Sequence, residues 1–140
     1  MKGIGADGEY WAALAQGQLK MQRCDGCSRW HWPAVWRCGE CGGWDHSWHA
    51  VAPRGRIYSW TRTWHDFGAP KGLAIPYISV VVELDDAGGT RLLGTLDASA
   101  TAPAIGQPVT ARPHHDTFEG EALLAWRWSA APVNSSAEEV

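Results

Sequence analysis

Hydrophobic and polar positions alternate over residues 55–64, where Tyr58, Trp60 and Trp64 fall on one side of an extended chain. The other side carries Ile57, Ser59, Thr61 and Thr63. A period of two residues predicts a β-strand whose two faces meet different surroundings.

Four more segments in the second half of the chain have the composition of strands, and they are residues 77–84, 90–96, 108–113 and 122–128. The first is a nearly continuous run of β-branched and aliphatic residues, as expected for a central strand. The turn at residues 85–89 predicts a hairpin between the first two segments. Five strands within residues 53–128, without a long helical pattern, predict a small Greek-key barrel of the OB type.

The first 52 residues follow a different pattern. A short helix is predicted over residues 8–16, with Asp7 as its N-terminal cap and Gly17 as its stop signal. One face of this helix carries Tyr10, Trp11 and Leu14. The helix either packs against its own domain or forms an arm that docks on a partner. The remaining extended segments are predicted at residues 18–23, 29–36 and 47–51.

Two cysteine pairs, each with two residues between its members, lie within a stretch of 18 residues. They form the pattern C-x2-C-x10-C-x2-C, and its members are Cys24, Cys27, Cys38 and Cys41. Tetrahedral zinc needs four ligands, with thiolate sulfurs about 2.3 Å from the ion, and two facing C-x2-C turns supply them. Glycines within both turns let the backbone amides face the thiolates.

Paired cysteines also serve in disulfides, redox sites and iron sites. A secreted disulfide framework expects a leader sequence, and no basic and then apolar segment opens the chain. A thioredoxin-like redox pair expects one C-x-x-C at the start of a helix, whereas both pairs here lie in glycine-rich turns. Iron in a rubredoxin-like site uses the same four thiolates, so the spacing leaves zinc and iron both open.

Zinc is favoured because residues 18–52 are too few to fold readily without a metal or disulfide cross-link. A closed four-thiolate shell leaves no open position for substrate and no thiol free as a nucleophile. We therefore expect a structural Zn²⁺ ion and assign no catalytic residue. The predicted class is mainly β, with a helix and a rubredoxin-like zinc ribbon followed by a five-stranded OB-fold barrel. The predicted parts are a helical arm (1–17), the zinc ribbon (18–52), the barrel (53–128) and a disordered tail (129–140).

Tryptophan is unusually frequent, with ten in 140 residues and five of them in the ribbon. A ribbon of this size cannot bury five indoles, since each large aromatic side chain buries roughly 150–250 Å². Either the indoles form a protein interface, where tryptophan is enriched, or they seal the ribbon against the barrel. The candidate partner-binding residues are Trp11, Trp30, Trp32, Trp36, Trp44 and Trp48.

Six histidines are present, but their spacing matches no metal or acid–base motif. His46 and His49 lie close to the cysteines in sequence, yet four thiols already complete a zinc shell. His31 and His65 are assigned structural or surface roles as well. The adjacent pair His114 and His115 is predicted to lie in an exposed loop.

The net charge of the chain limits the classes of partner that it is expected to bind. The chain has 12 Lys and Arg residues against 15 Asp and Glu residues, a net charge of −3, and its 45% hydrophobic content is that of a folded protein. An OB barrel with exposed aromatics can stack nucleic-acid bases, but such proteins also need a positively charged track. Single-stranded nucleic-acid binding is therefore only an alternative.

The order of these features resembles a known family, the zinc-ribbon and OB-fold proteins catalogued as domain of unknown function family 35. Residues 19–43 resemble its ribbon, including a proline between the cysteine pairs. The segment PRGRIYSWT (53–61) resembles the joint between ribbon and barrel, and IPYISVVVELDD (75–86) resembles a barrel strand. The later motifs are at residues 91–96, 105–109 and 125–128, so the resemblance covers about residues 8–128.

The resemblance implies a non-catalytic, zinc-binding subunit of an acyl-CoA enzyme. Such proteins accompany thiolase-superfamily aldolases and acyltransferases, including aldolases that shorten steroid side chains, or MaoC-like enoyl-CoA hydratases. The partner carries the catalytic residues, and the small subunit stabilises it or helps to form its coenzyme A channel. We expect a cytoplasmic subunit that is inactive alone and binds a thiolase-like partner, with a hydratase partner as the alternative. The tryptophan-rich ribbon departs from typical members and leaves the choice of partner open.

The long segment 65–76 is rich in glycine and proline, and loops of this kind carry ligand contacts in OB folds. Lys71, together with Arg62 on the preceding strand, is a candidate contact for a phosphate of coenzyme A. The alternative is an ordinary mobile loop.

Overall fold

The structure, a computed structural model, describes residues 5–70, 72–97 and 102–132. Within these ranges the chain forms one helix, a three-stranded sheet and a closed five-stranded barrel, which confirms the predicted fold class. The elements are α1 (Gly8–Ala15), β1 (Lys20–Cys24), β2 (Trp30–His31), β3 (His46–Ala50), β4 (Arg54–Thr63), β5 (Tyr77–Leu84), β6 (Arg91–Leu96), β7 (Pro108–Phe118) and β8 (Glu121–Ala130). Residues 133–140 of the predicted tail lie outside the described residues.

Helix α1 packs against both sheets, because its buried face contacts β1 and the last strand, β8. Gly17, with φ of 74°, donates its backbone N–H to the Leu14 carbonyl at 2.9 Å and closes the helix as predicted. Asp7 occupies the N-cap position as predicted, but its side chain makes no capping hydrogen bond. Its Oδ2 instead accepts a hydrogen bond of 2.8 Å from Nε1 of Trp11, one turn later.

The ribbon sheet has the order β2-β1-β3, and both pairings are antiparallel. Of the predicted extended segment 29–36, Trp30 and His31 form a strand, and the following residues form a loop. The buried Gln22 of β1 holds this loop, because its amide donates to the Val35 carbonyl and accepts from the Val35 N–H, both at 2.9 Å. A single buried amide therefore satisfies a loop that has no strand partner.

The barrel has the strand order β4-β5-β6-β8-β7 and closes through antiparallel pairing of β7 with β4. The β6–β8 pairing is parallel and short, joining Thr95 to Arg127 and Leu96 to Trp128. The barrel core is continuous with that of the ribbon and the helix. Its fully buried members include Leu14, Leu19, Met21, Val80, Val82, Val109 and Trp128. One shared core therefore fixes the ribbon, the helix and the barrel relative to one another.

Two predictions about the barrel strands are wrong. A β-bulge between Ile57 and Ser59 shifts the register of β4, so Ile57 and Trp60 both pack towards the core although strict alternation separates them. His114 and His115 lie within β7, which continues to Phe118, and not in a loop. The β7–β8 hairpin turns instead at Glu119 and Gly120, with φ of 49° and 78°.

Candidate metal centre and ribbon surface

The structure brings the four predicted cysteines together at the edge of the ribbon sheet. Their Sγ atoms all lie within 4.8 Å of one another, and the pairs Cys24–Cys41 and Cys27–Cys38 are each separated by 3.6 Å. Four sulfurs at about 2.3 Å from a tetrahedral zinc ion are separated by about 3.8 Å. The donor set therefore fits zinc in number, in chemistry and in spacing.

The same backbone turn positions both cysteine pairs. In the first turn, the Cys24 carbonyl accepts from the Ser28 N–H at 2.9 Å, and the Cys24 N–H donates to the Arg29 carbonyl at 2.8 Å. In the second turn, Cys38 makes the equivalent bonds with Gly42 and Gly43, at the same two distances. Ser28 and Gly42 occupy equivalent positions, with φ of 65° and 76°. This repeated turn explains why two short sequences present their thiols towards one point.

The thiols of Cys38 and Cys27 differ in acidity. Backbone hydrogen bonds from Cys41 and Glu40, together with the side chain of His31, lower the pKa of Cys38 to about 5. A backbone hydrogen bond from Arg29 favours the Cys27 thiolate, but desolvation and the neighbouring sulfurs outweigh it and raise the pKa of Cys27 to about 11. Four thiolates this close repel one another, and a divalent cation removes that repulsion.

The histidines near the cysteines support the site without completing it. His31 Nε2 lies 3.3 Å from Cys38 Sγ, whereas His46 Nε2 donates to the Trp36 carbonyl at 2.9 Å. His49 is exposed and packs edge-on against Trp30, with ring centroids 5.6 Å apart. In the part of the chain that the structure describes, the four cysteines are the one group of three or more side chains placed to hold a metal ion.

The structure divides the ribbon tryptophans into two groups. Trp36 and Trp44 are each 68% exposed. Trp30, Trp32 and Trp48 pack partly against the core, as does Trp11 of the helix. The expectation that indoles seal the ribbon against the barrel therefore fits one group, and an interaction surface fits the other.

Trp30 forms the seam between ribbon and barrel. It lies over Gly88 in the β5–β6 turn, where an added Cβ atom would stand 2.5 Å from Trp30 Cδ1. Trp32 extends the seam to the helix, because its ring packs on Tyr10 with centroids 4.2 Å apart. Burial raises the pKa of Tyr10 to about 12.

A cavity of about 360 Å³ opens at one end of the barrel, and Arg62, Trp64, Tyr77, Leu96 and Arg127 are among its lining residues. The Arg62 guanidinium lies between the rings of Trp60 and Trp64, at 5.7 and 5.6 Å from their centroids. Lys71, the second predicted coenzyme A contact, lies outside the described residues.

Sequence reasoning missed Arg127 at this cavity. Its side chain is held by Asp97 at 3.6 Å and by Asp116 at 3.5 Å, and it is 14% exposed. The sequence signal was an arginine between two tryptophans on a buried strand, because a charged residue is rarely buried unless another group pairs with it.

No helix in the described ranges is long and apolar enough to cross a membrane.

Comparison with known proteins agrees with this architecture. A family model described as the rubredoxin-like zinc ribbon domain of ChsH2 matches residues 11–46, and one described as the C-terminal OB-fold domain of ChsH2 matches residues 48–114. A curated protein of Thermomonospora curvata, named probable enoyl-CoA hydratase alpha subunit, is 32% identical over 108 residues. That alignment covers 76% of this chain and 33% of the relative, so the chain spans about a third of the relative's length.

Two solved structures share the fold. A chain of the Ltp2-ChsH2(DUF35) aldolase superposes with a TM-score of 0.75 and 26% identity, over 89% of this chain and 94% of that one. A DUF35 protein of unknown function from Sulfolobus solfataricus superposes with a TM-score of 0.62, over 93% and 87% of the two chains. Its 18% identity shows a likeness of fold alone.

The cysteine geometry and the ribbon match support each other. Four thiols clustered at zinc spacing lie in a domain of the rubredoxin-like zinc ribbon type, so the prediction of a structural zinc ion is confirmed. The chain belongs to the DUF35 family, in which a ChsH2-type zinc ribbon precedes a ChsH2-type OB-fold domain.

Proposed function

We propose that this chain is a non-catalytic, zinc-stabilised subunit that binds a thiolase-superfamily enzyme acting on acyl-CoA. The similarity to a chain of the Ltp2-ChsH2(DUF35) aldolase carries the proposal, because it extends over 94% of that chain. An aldolase or acyltransferase is the proposed partner, in the cytoplasm, with steroid side-chain degradation as the setting that the family resemblance implies.

The chemistry of the described residues supports an accessory role. All four thiols belong to the metal centre, so they are unavailable as nucleophiles. Among the described residues no histidine is hydrogen-bonded to a serine or threonine hydroxyl, and the ring of His46 is engaged by the Trp36 carbonyl. The exposed indoles of Trp36 and Trp44 supply apolar surface of the kind that partners cover.

Arg62 is the proposed contact of this subunit with coenzyme A. Its guanidinium stands beside exposed Trp64 at the barrel cavity, which offers a charge for phosphate and an aromatic face for a base. We propose that this cavity faces the partner's coenzyme A channel, with Lys71 as a second phosphate contact.

Co-expression with a thiolase-superfamily enzyme that acts on acyl-CoA tests the function. The expected results are a stable complex on size exclusion, acyl-CoA turnover by the complex, and no turnover by this chain alone. In R62Q we expect a raised KM for the acyl-CoA with an unchanged kcat, whereas R56Q is the control, because Arg56 bonds the Gly106 carbonyl elsewhere on the barrel. Turnover by the isolated chain contradicts the proposal.

A hydratase partner is the second candidate, favoured by the relative named probable enoyl-CoA hydratase alpha subunit. The same purification, repeated with a MaoC-like protein as bait, separates the two candidates. Recovery of a complex with the hydratase alone favours this alternative.

A further inference from the structure

A groove of about 330 Å³ lies between the beginning of α1 and the ribbon. Its lining includes the side chains of Glu9, Trp36, Trp44, His46 and Trp48. None of these residues lines the barrel cavity, and none is a cysteine of the metal centre. The groove is therefore a separate feature of the ribbon surface.

Aromatic faces dominate this groove. Trp36 and Trp44 are each 68% exposed, and Trp48 is half-buried beside them. The face of an indole carries partial negative charge, which attracts cations such as guanidinium or ammonium groups.

The charged carboxylate that lines the groove belongs to Glu9. Glu9 is exposed on the first turn of α1, and among the residues described it forms no ion pair. His46 donates its Nε2–H to the Trp36 carbonyl at 2.9 Å, and its Nδ1 is buried and so is closed to a ligand in the groove.

Two cations near the groove in the described part of the chain are engaged elsewhere. Arg37 donates from Nε to the Gly42 carbonyl at 3.2 Å, and Arg23 lies over Trp30 at 5.3 Å from its centroid. A carboxylate and three indoles thus surround the groove with electron-rich groups.

We propose that this groove receives an arginine side chain of the partner protein. The planar guanidinium stacks on the indoles of Trp36 and Trp44 while its N–H groups donate to the Glu9 carboxylate. Arginine fits better than lysine because its flat, delocalised cation stacks on aromatic rings and carries five donors in fixed directions. The inference rests on the proposed accessory function, since it names the chemistry by which the partner is held.

A small probe tests the groove without the partner. The zinc-loaded full chain, with ¹⁵N-labelled tryptophan, is titrated with N-acetylarginine amide and with its neutral isostere N-acetylcitrulline amide. We expect the indole signals of Trp36 and Trp44 to shift saturably, with the arginine probe binding about two- to thirtyfold more tightly than citrulline. E9Q should reduce that difference, because it removes the carboxylate that pairs with the guanidinium, whereas the matched control E121Q, at the exposed β7–β8 hairpin, should leave it unchanged. Equal responses to the two probes overturn the proposal.

The complex with the partner provides the second test. W36A and W44A should weaken it by at least about fivefold without changing zinc content, because both side chains are largely exposed. A complex of unchanged affinity in E9Q, W36A and W44A overturns the arginine site and leaves the accessory function standing. Arginine binding without any thiolase-fold complex supports the site and instead contradicts the accessory function.

Discussion

Replacing Gly88 with alanine is expected to loosen the seam between the ribbon and the barrel. Gly88 has φ of 62° in the β5–β6 turn, and its added Cβ atom would lie 2.5 Å from Cδ1 and 3.3 Å from Cγ of Trp30. The Trp30 ring is partly buried against the core, and the Arg23 guanidinium lies 5.3 Å from its centroid, so moving the ring away from the turn breaks these contacts. The substitution therefore combines backbone strain with a clash at the contact that joins the two domains.

The neighbouring Gly89 allows these two effects to be separated. It also has a positive φ, 73°, but its added Cβ atom would meet the flexible Glu83 side chain at 3.5 Å. Left-handed backbone in a non-glycine residue costs about 1–2 kcal/mol. Overpacking adds about 1–3 kcal/mol. We therefore expect G89A to lower the free energy of unfolding by about 1–2 kcal/mol and G88A by about 2–5 kcal/mol.

Urea unfolding of the zinc-loaded protein, followed by far-UV circular dichroism, measures both values. The difference between G88A and G89A should disappear when Trp30 is also replaced by alanine, because the clash is then absent. Equal destabilisation by G88A and G89A in the wild-type background refutes the reasoning, and so does a difference that persists in W30A.

Three further predictions concern the metal, the barrel and the pH dependence. Metal analysis should find about one zinc ion per chain. C24S removes a buried ligand, so this variant should lose the zinc ion and unfold the ribbon. Iron in place of zinc, or less than about half an equivalent of zinc, contradicts this assignment. G94A should lower the free energy of unfolding by about 1–3 kcal/mol, because its Cβ would lie 2.6 Å from Cδ1 and Nε1 of Trp128, whereas G8A, with open space around it, should be nearly neutral. Tyr10 has a raised pKa of about 12 in the folded protein, so its contribution to stability is present below about pH 10 and is lost between pH 10 and 12. Between pH 10 and 12 the free energy of unfolding, measured with urea, should therefore fall by about 2 kcal/mol less in Y10F than in the wild type. Parallel pH profiles of the two proteins count against the burial of the hydroxyl.

The sequence pattern predicted those features that depend on spacing alone. Two C-x2-C turns defined the metal centre, since a repeated backbone turn presents its thiols in the same way each time. The continuous aliphatic run of β5 located a strand with a neighbour on each side, β4 and β6. The turn at residues 85–89 gave the hairpin, and its glycines adopt the left-handed conformation that the turn needs.

Features that depend on tertiary packing were not predictable. Alternation along β4 assumes an unbroken register, and one bulged residue, Tyr58, moves the side chains that follow to the opposite face. Aspartate is a residue type that commonly caps helices through its side chain, but the indole N–H of Trp11 takes the carboxylate of Asp7 instead. Composition also does not distinguish Trp30, which meets a glycine on the barrel, from Trp44, which meets solvent.

The contact between α1 and β8 has a consequence for the order in which the chain folds. The ribbon cysteines lie within 18 residues of one another, so their pairing needs little chain to be present. The helix instead packs on a strand more than 100 residues away, which is formed by residues 121–130. During synthesis the ribbon is able to bind zinc and to cover part of the helix, through β1 and Trp32, long before that strand leaves the ribosome. The rest of the apolar face is covered only when β8 forms, so complete burial of Tyr10 marks a chain whose last barrel strand is in place.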